Sequence, residues 1–249
     1  MKAKRSPNDK RGLAESMDLD RVLGVLNSQS NPDTSRSMAR FGIKTDKAFG
    51  VSVPFLRSLA KQIGKDHSLS QALWSTGLHE ARELATMVAD PASVTEELME
   101  SWVREIDSWD VCDHCCSNLW IKTPFARRKA RQWSRRPEEF VKRAAFSLIA
   151  YLAVHDKAAE DEVFAQFLPI IKRESTDQRN FVKKAVNWAL RQIGKRNRNL
   201  NRLSIATARE IQNLDSKSAR WIAADALREL TNSKVQSRIE SASRPRRSR

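Results

Sequence analysis

The segment Phe181–Lys195 constrains the fold more than any other stretch of this chain. Read at about 100° per residue, Val182, Ala185, Val186, Ala189, Leu190 and Ile193 form one apolar stripe. Such a stripe buries itself against another helix or sheet. Trp188 stands outside it, well round the helix, beside Phe181, Lys184, Arg191 and Lys195. An aromatic ring among cations, off the core stripe, suits a base-stacked polymer of phosphates: the cations pair with phosphate and the ring packs on sugar or base. The alternative is that a neighbouring helix covers Trp188 and the lysines are merely solvated.

The rest of the chain repeats the helical pattern. Only 7 Gly, 8 Pro and 1 Tyr occur in 249 residues, whereas Ala, Leu, Arg, Lys and Glu are plentiful, which favours helix almost throughout. Pro, Gly and Asx/Ser punctuation divides the sequence into helices near 18–28, 33–41, 54–64, 69–75, 79–89, 92–106, 109–121, 124–134, 137–154, 158–172, 176–195, 199–213 and 216–231. Ile43–Val53 reads as a loop around Gly50. Pro54 and Pro137 stand where first-turn prolines belong, and Thr176-Asp177 and Asp215-Ser216 where N-caps belong. Short helices joined by short turns predict an all-α fold, an α-solenoid of HEAT-like antiparallel pairs with a concave basic face. A compact helical bundle is the structural alternative. The expected division is a disordered basic tail over 1–16, a repeat domain over 17–232, and a disordered Arg-rich tail over 233–249.

Charge is segregated. The formal net charge is +15, which points to a polyanionic partner. Window 122–143 holds nine basic against two acidic residues, and 172–202 holds ten against two. Both tails are basic too, so the remaining body has an acidic balance. A groove needs such stripes; a solubility surface does not. The cations expected to meet phosphate are Lys142, Arg179, Lys183, Lys184, Arg191 and Lys195. The longest apolar stretch, Ala144–Val154, is too short to span a bilayer. The basic N-terminus has no apolar run behind it, so a cytoplasmic, nucleoid-associated monomer without membrane contact is expected.

Cys112, Cys115 and Cys116 surround His114, but no second ligand pair stands at zinc spacing. Reduced, buried thiols are the better account, and neither metal nor cofactor is implied. Ser108 can cap a helix from Trp109 to Trp120, placing Trp109, Cys112, Asp113, Cys116 and Trp120 on one face. The first-turn dipole explains Asp110. Asp113, a carboxylate within an apolar face, either pairs with an arginine of the next helix or serves chemistry. On 137–154 the core stripe is Val141, Ala144, Ala145, Leu148, Ile149 and Leu152; Arg143 lies off it near Ser147.

Three anchors carry a family resemblance: Ser108-Trp109-Asp110-Val-Cys-Asp113, Lys142-Arg143-Ala-Ala, and Phe181-Val-Lys-Lys-Ala-Val-Asn-Trp188-Ala-Leu-Arg191. Met38-Ala39-Arg40-Phe41, Leu73-Trp74 and Glu80-Ala-Arg82 support it, and the resemblance covers roughly residues 18–215 in order. The chain resembles the AlkD type of DNA alkylation repair glycosylases, built of HEAT-like repeats. The resemblance implies double-stranded DNA containing N3- or N7-alkylated purines as substrate and hydrolysis of the N-glycosidic bond. It implies Asp113 as catalytic carboxylate, Trp109 and Trp188 flanking the lesion, Arg143 on the DNA backbone, and Phe41 beside the DNA where a well-known member has tyrosine. That member also has a second tryptophan in place of Ser108. The competing class is a non-catalytic DNA-binding solenoid for damaged or branched DNA.

Overall fold

The computed structural model describes residues 17–243. The basic tail expected over 1–16 lies outside them. The chain forms α1 (Leu19–Ser28), α2 (Pro32–Arg40), α3 (Val53–Ile63), α4 (His67–Ser75), α5 (His79–Val88), α6 (Glu96–Glu105) and α7 (Trp109–His114). It continues with α8 (Ala126–Trp133), α9 (Glu139–His155), α10 (Asp161–Ala165), α11 (Leu168–Glu174), α12 (Asn180–Gly194), α13 (Arg198–Gln212), α14 (Lys217–Leu230) and α15 (Ser233–Ser243). No strand occurs among the described residues. None of their helices is long and apolar enough to cross a membrane.

The apolar stripes read from the sequence form the core. All six stripe residues of α12 are buried, as are all six of α9, and these two helices pack directly on each other. Burying each Val, Leu or Ile side chain contributes about 1.5–3 kcal/mol, so this contact is a main source of cohesion. Around it, α9 also packs on α8, and α12 on α13 and α14; towards the N-terminus α5 packs on α3 and α4.

Local chemistry explains most boundaries. Asn31, Asp66, Thr95, Asn197 and Ser216 each accept a first-turn backbone N–H as N-cap side chains. Pro54 stands in the first turn of α3, as its fixed φ and missing N–H favour. Several expectations need correction. Pro137 precedes α9, whose N-cap is Glu138. The N-cap of α12 is Arg179; Asp177 instead accepts the Arg179 backbone N–H at 3.0 Å. The helix expected over 158–172 divides into α10 and α11, because Pro169 removes an N–H that a continuous helix would use. The C-terminal tail expected from residue 233 is helical as far as Ser243. Ile239 is 3% exposed, and Gln236 Nε2 donates to Asn201 Oδ1 at 3.1 Å. One buried isoleucine and one amide dock a segment that composition alone marks as disordered.

The loop before α3 is held by a single buried carboxylate. Glu80 accepts the backbone N–H groups of Phe49, Gly50 and Val51 at 2.8, 2.6 and 3.1 Å. Gly50 has φ +78°, and a Cβ there would lie 2.1 Å from the Asn31 carbonyl, so only glycine passes.

Candidate active site

Helix α7 carries the central residues on two different faces. After His114 the chain widens into one π turn, Cys115–Leu119, then a 3₁₀ turn, Trp120–Lys122. A π turn rotates everything downstream. Trp120 therefore does not share the face of Trp109 and Asp113, as a straight helix would require. It is fully buried and packs edge-on against Trp133 at 5.1 Å. Ser108 occupies the N-cap position but makes no side-chain cap hydrogen bond; its hydroxyl donates to Asp110.

Asp113 meets α9. Arg143 donates to it through Nε at 3.2 Å and Nη2 at 2.7 Å, and the Ser147 hydroxyl adds a third bond at 2.8 Å. The remaining guanidinium nitrogen, Nη1, donates to the Phe181 carbonyl at 2.9 Å. Arg143 is only 6% exposed. Burial alone would lower its pKa, but the Asp113 charge more than offsets this. In the free protein all three guanidinium nitrogens of Arg143 have partners within the chain, and two of them orient the Asp113 carboxylate. Asp113 is half of an ion pair, but its partner is Arg143 of α9 rather than an arginine of the next helix, α8. The pairing does not exclude chemistry, because the pair lies in the wall of a pocket.

That pocket has a volume of about 450 Å³ and is lined by Phe41, Trp109, Asp113, Arg143, Tyr151, Phe181, Lys184, Ala185 and Trp188. Five aromatic residues thus surround one carboxylate. Each indole is pinned by its N–H: Trp109 Nε1 donates to the Phe41 carbonyl at 3.1 Å, and Trp188 Nε1 to the Gln192 side-chain oxygen at 2.9 Å, with the amide oriented to satisfy both groups. The Trp188 ring stands edge-on to Tyr151 at 4.8 Å, and the Arg143 guanidinium lies 5.7 Å from the Trp109 ring centre. Phe41 is 67% exposed at the mouth. Its turn depends on Gly42 (φ +77°), where a Cβ would come within 3.1 Å of the Phe181 ring.

Tyr151 and Ser147 are the site residues that sequence reasoning missed. They follow Arg143 at i+8 and i+4 on α9, so one helical face presents all three. That spacing, with the chain's only tyrosine, was the available signal. Burial, followed by the charge of Asp113, pushes the Tyr151 phenol up to about 12, so it stays neutral.

The basic windows behave differently from a bare cationic stripe. Lys142 bonds Glu174 at 2.5 Å and lies 3.6 Å from Asp177. Arg179 bonds Asp177 at 2.5 Å. Arg191 pairs with Glu229 and lies 3.5 Å from Asp225, while Lys195 bonds Glu229 at 2.6 Å. Acidic residues of neighbouring elements compensate these expected phosphate contacts. Lys183 lies 4.9 Å from the ring centre of Trp221, which is 42% exposed. Of the expected DNA contacts, Lys184 and Phe41 reach the pocket itself.

The opposite face of α7 meets α5. His79 Nε2 lies 3.1 Å from Asp110 Oδ2 and 3.8 Å from Glu83 Oε1, and His114 Nδ1 lies 3.1 Å from the same Glu83 oxygen. Asp110 therefore has a partner beyond the helix dipole. Burial opposes charge on His79, but Asp110, then Glu83 and Glu80, push its pKa up to about 9. His114 turns towards Glu83, and the cysteines go elsewhere: Cys112 and Cys116 point their thiols at the Phe140 and Ala144 carbonyls. All three are buried and free of disulfides. Burial holds the Cys115 and Cys116 thiols well above the usual range, so they are poor nucleophiles.

An all-α HEAT-like array with a carboxylate inside an aromatic pocket is the class of protein that fold and site define. The sequence profile of DNA alkylation repair enzymes matches residues 22–237, and the chain belongs to that family. A solved structure described as a new family of proteins related to the HEAT-like repeat DNA glycosylases, with affinity for branched DNA structures, superposes with a TM-score of 0.71. It is 20% identical, and the match covers 86% of this chain and 96% of that one. A designed armadillo repeat protein in complex with a (KR)4 peptide gives a TM-score of 0.34 at 15% identity, covering 88% and 97%, too low to carry weight. No protein of curated function matches the sequence.

Proposed function

We propose that the protein is a monofunctional DNA glycosylase that hydrolyses the N-glycosidic bond of cationic N3- or N7-alkylated purines in duplex DNA, acting as a monomer without a cofactor in catalysis. The observation that carries this reading is the carboxylate of Asp113, held by Arg143 and Ser147 in a pocket walled by Trp109, Trp188, Tyr151, Phe41 and Phe181. An alkylated purine already bears positive charge, so it departs without a general acid. The C1′–N bond breaks, its electron pair neutralises the base, and the sugar becomes oxocarbenium-like. Related sugar chemistry ordinarily employs two carboxylates; here one suffices to stabilise the cation and orient water. Water then adds to C1′ and releases a proton, leaving an abasic site. Indole faces beside the cation add about 0.5–2 kcal/mol each.

In this reading Trp109 and Trp188 flank the lesion nucleotide, Lys184 holds a phosphate at the mouth, and Arg143 is a positioning residue for Asp113. Many enzymes that act on bases extrude them; cationic leaving groups reduce the need for base contacts. The test is release of 7-methylguanine or 3-methyladenine from alkylated duplex DNA by the purified protein. A second reading, a non-catalytic binder of branched or damaged DNA, draws on the branched-DNA affinity described for the similar structure. Tight binding of a four-way junction without base release would establish it.

A further inference from the structure

The face of α7 turned away from the pocket is not used by the proposed reaction. His79 and Glu83 stand one turn apart on α5, and Asp110 and His114 one turn apart on α7, so two helices present two donors each across their contact. The side chains of His79 and Glu83 are 5% and 4% exposed, and that of Asp110 is 14% exposed. Glu80 is committed to the backbone of the 49–51 loop, which leaves Glu83 and Asp110 as the two carboxylates beside His79. One potential ligand atom from each of His79, Glu83 and Asp110 lies within 4.8 Å of the other two.

We propose that His79, Glu83 and Asp110 bind a divalent metal ion of the zinc class, with His114 as the outer partner that fixes Glu83. The spacing suits the ion. Zinc bonds of about 2.0–2.2 Å in a tetrahedron place ligand atoms roughly 3.3 Å apart; His79 Nε2 lies 3.1 Å from Asp110 Oδ2 and 3.8 Å from Glu83 Oε1. The remaining edge joins two carboxylates, which repel each other and draw together around a shared cation. Nitrogen and oxygen donors of this kind suit zinc. His114 Nδ1 lies 3.1 Å from Glu83 Oε1 and so holds that carboxylate from the side, as outer-shell groups commonly do for ligating carboxylates. Helix α7 is only six residues long, too short to be stable alone. An ion bridging it to α5 would hold Trp109 and Asp113 in register from behind, a structural role distinct from the chemistry of the pocket.

The experiment uses the full chain, stripped with a chelator and titrated with Zn²⁺ against a chromophoric indicator, then with Co²⁺. One zinc per chain is expected, with a rise in Tm. Cobalt should give visible bands of a nitrogen- and oxygen-ligated ion without a thiolate charge-transfer band, which separates this site from Cys112, Cys115 and Cys116. Glu83→Gln and Asp110→Asn should weaken zinc binding by more than about 100-fold, and His114→Gln by about 10–100-fold. Wild-type protein that binds no zinc, a thiolate band in the cobalt spectrum, or undiminished binding by folded Glu83→Gln and Asp110→Asn overturns the site and leaves a proton-held ion pair. If a variant fails to fold, the wild-type stoichiometry and cobalt spectrum decide alone.

Discussion

Asp110 and Asp113 lie three residues apart on one short helix and meet opposite surroundings. Asp113 faces α9, pairs with Arg143, and looks into a pocket walled by aromatic rings. Asp110 faces α5 and pairs with His79. Both carboxylates carry strong partners, so ion pairing by itself does not separate a functional acid from a scaffold acid. Surroundings do. The two carboxylate side chains are equally exposed, at 14% each, but that of Asp113 opens on a pocket walled by aromatic rings, where it can exchange part of its partner's charge for that of a substrate.

The largest expected effect comes from removing the negative charge on the pocket side. Asp113→Asn should lower single-turnover excision of 7-methylguanine by at least about 10²–10³-fold, the order seen when electrostatic stabilisation is deleted. Asp110→Asn should cost stability while lowering excision by its folded fraction far less. Equal losses from the two variants would erase the distinction between the faces.

Arg143→Ala leaves the Asp113 charge in place but strands it. Breaking a buried pair on one side costs about 3–5 kcal/mol, so urea unfolding should show a loss of that order. Arg143→Lys should recover little of it, since an ammonium cannot reproduce the two-pronged contact together with the bond to the Phe181 carbonyl. Full recovery would mean that charge alone holds Asp113.

Substituting Trp188 or Trp109 by Leu should slow excision of cationic purines by about 2–30-fold each, the equivalent of about 0.5–2 kcal/mol of cation–π attraction. Binding of undamaged duplex should change less. An equal loss for both would show that the rings serve general DNA affinity.

Away from α7, Glu229 offers a contrast in pH. Burial would raise its pKa, but Lys195 and Arg191 depress it below the usual carboxylate range. A depressed folded pKa stabilises the protein above the unfolded value, near about 4.3, and that contribution is lost as pH falls through the folded value. Thermal melts of the wild type should therefore decline below about pH 4.5, and Glu229→Gln should shallow that decline. Lys184→Ala should have the smallest effect, reducing the salt slope of duplex binding by about one phosphate with no sequence preference. An unchanged slope would remove Lys184 from the DNA contact.

The buried stripes of α9 and α12 were legible in the sequence because a 3.6-residue period survives any tertiary arrangement that covers one face. Asp113, Trp109 and Trp188 were legible because each departs from its local pattern. Tyr151 was not, since a single aromatic at the edge of a core stripe looks like packing until α12 brings Trp188 against it. The displacement of Trp120 was hidden as well: the sequence 115–119 carries no Pro or Gly to announce a π turn.

Fold class, helix order and the residues on each core face follow from the chain alone, because periodicity and capping act within a few residues. Partnership does not. Whether Lys142, Arg179, Arg191 and Lys195 face phosphate or Glu174, Asp177 and Glu229 depends on which helices become neighbours. The Asp113–Arg143, Asp110–His79 and Gln236–Asn201 pairs likewise join residues 30, 31 and 35 positions apart. A charge in a sequence has a sign but no surroundings, and only the packed helices supply the burial and the opposing group that set what it can do.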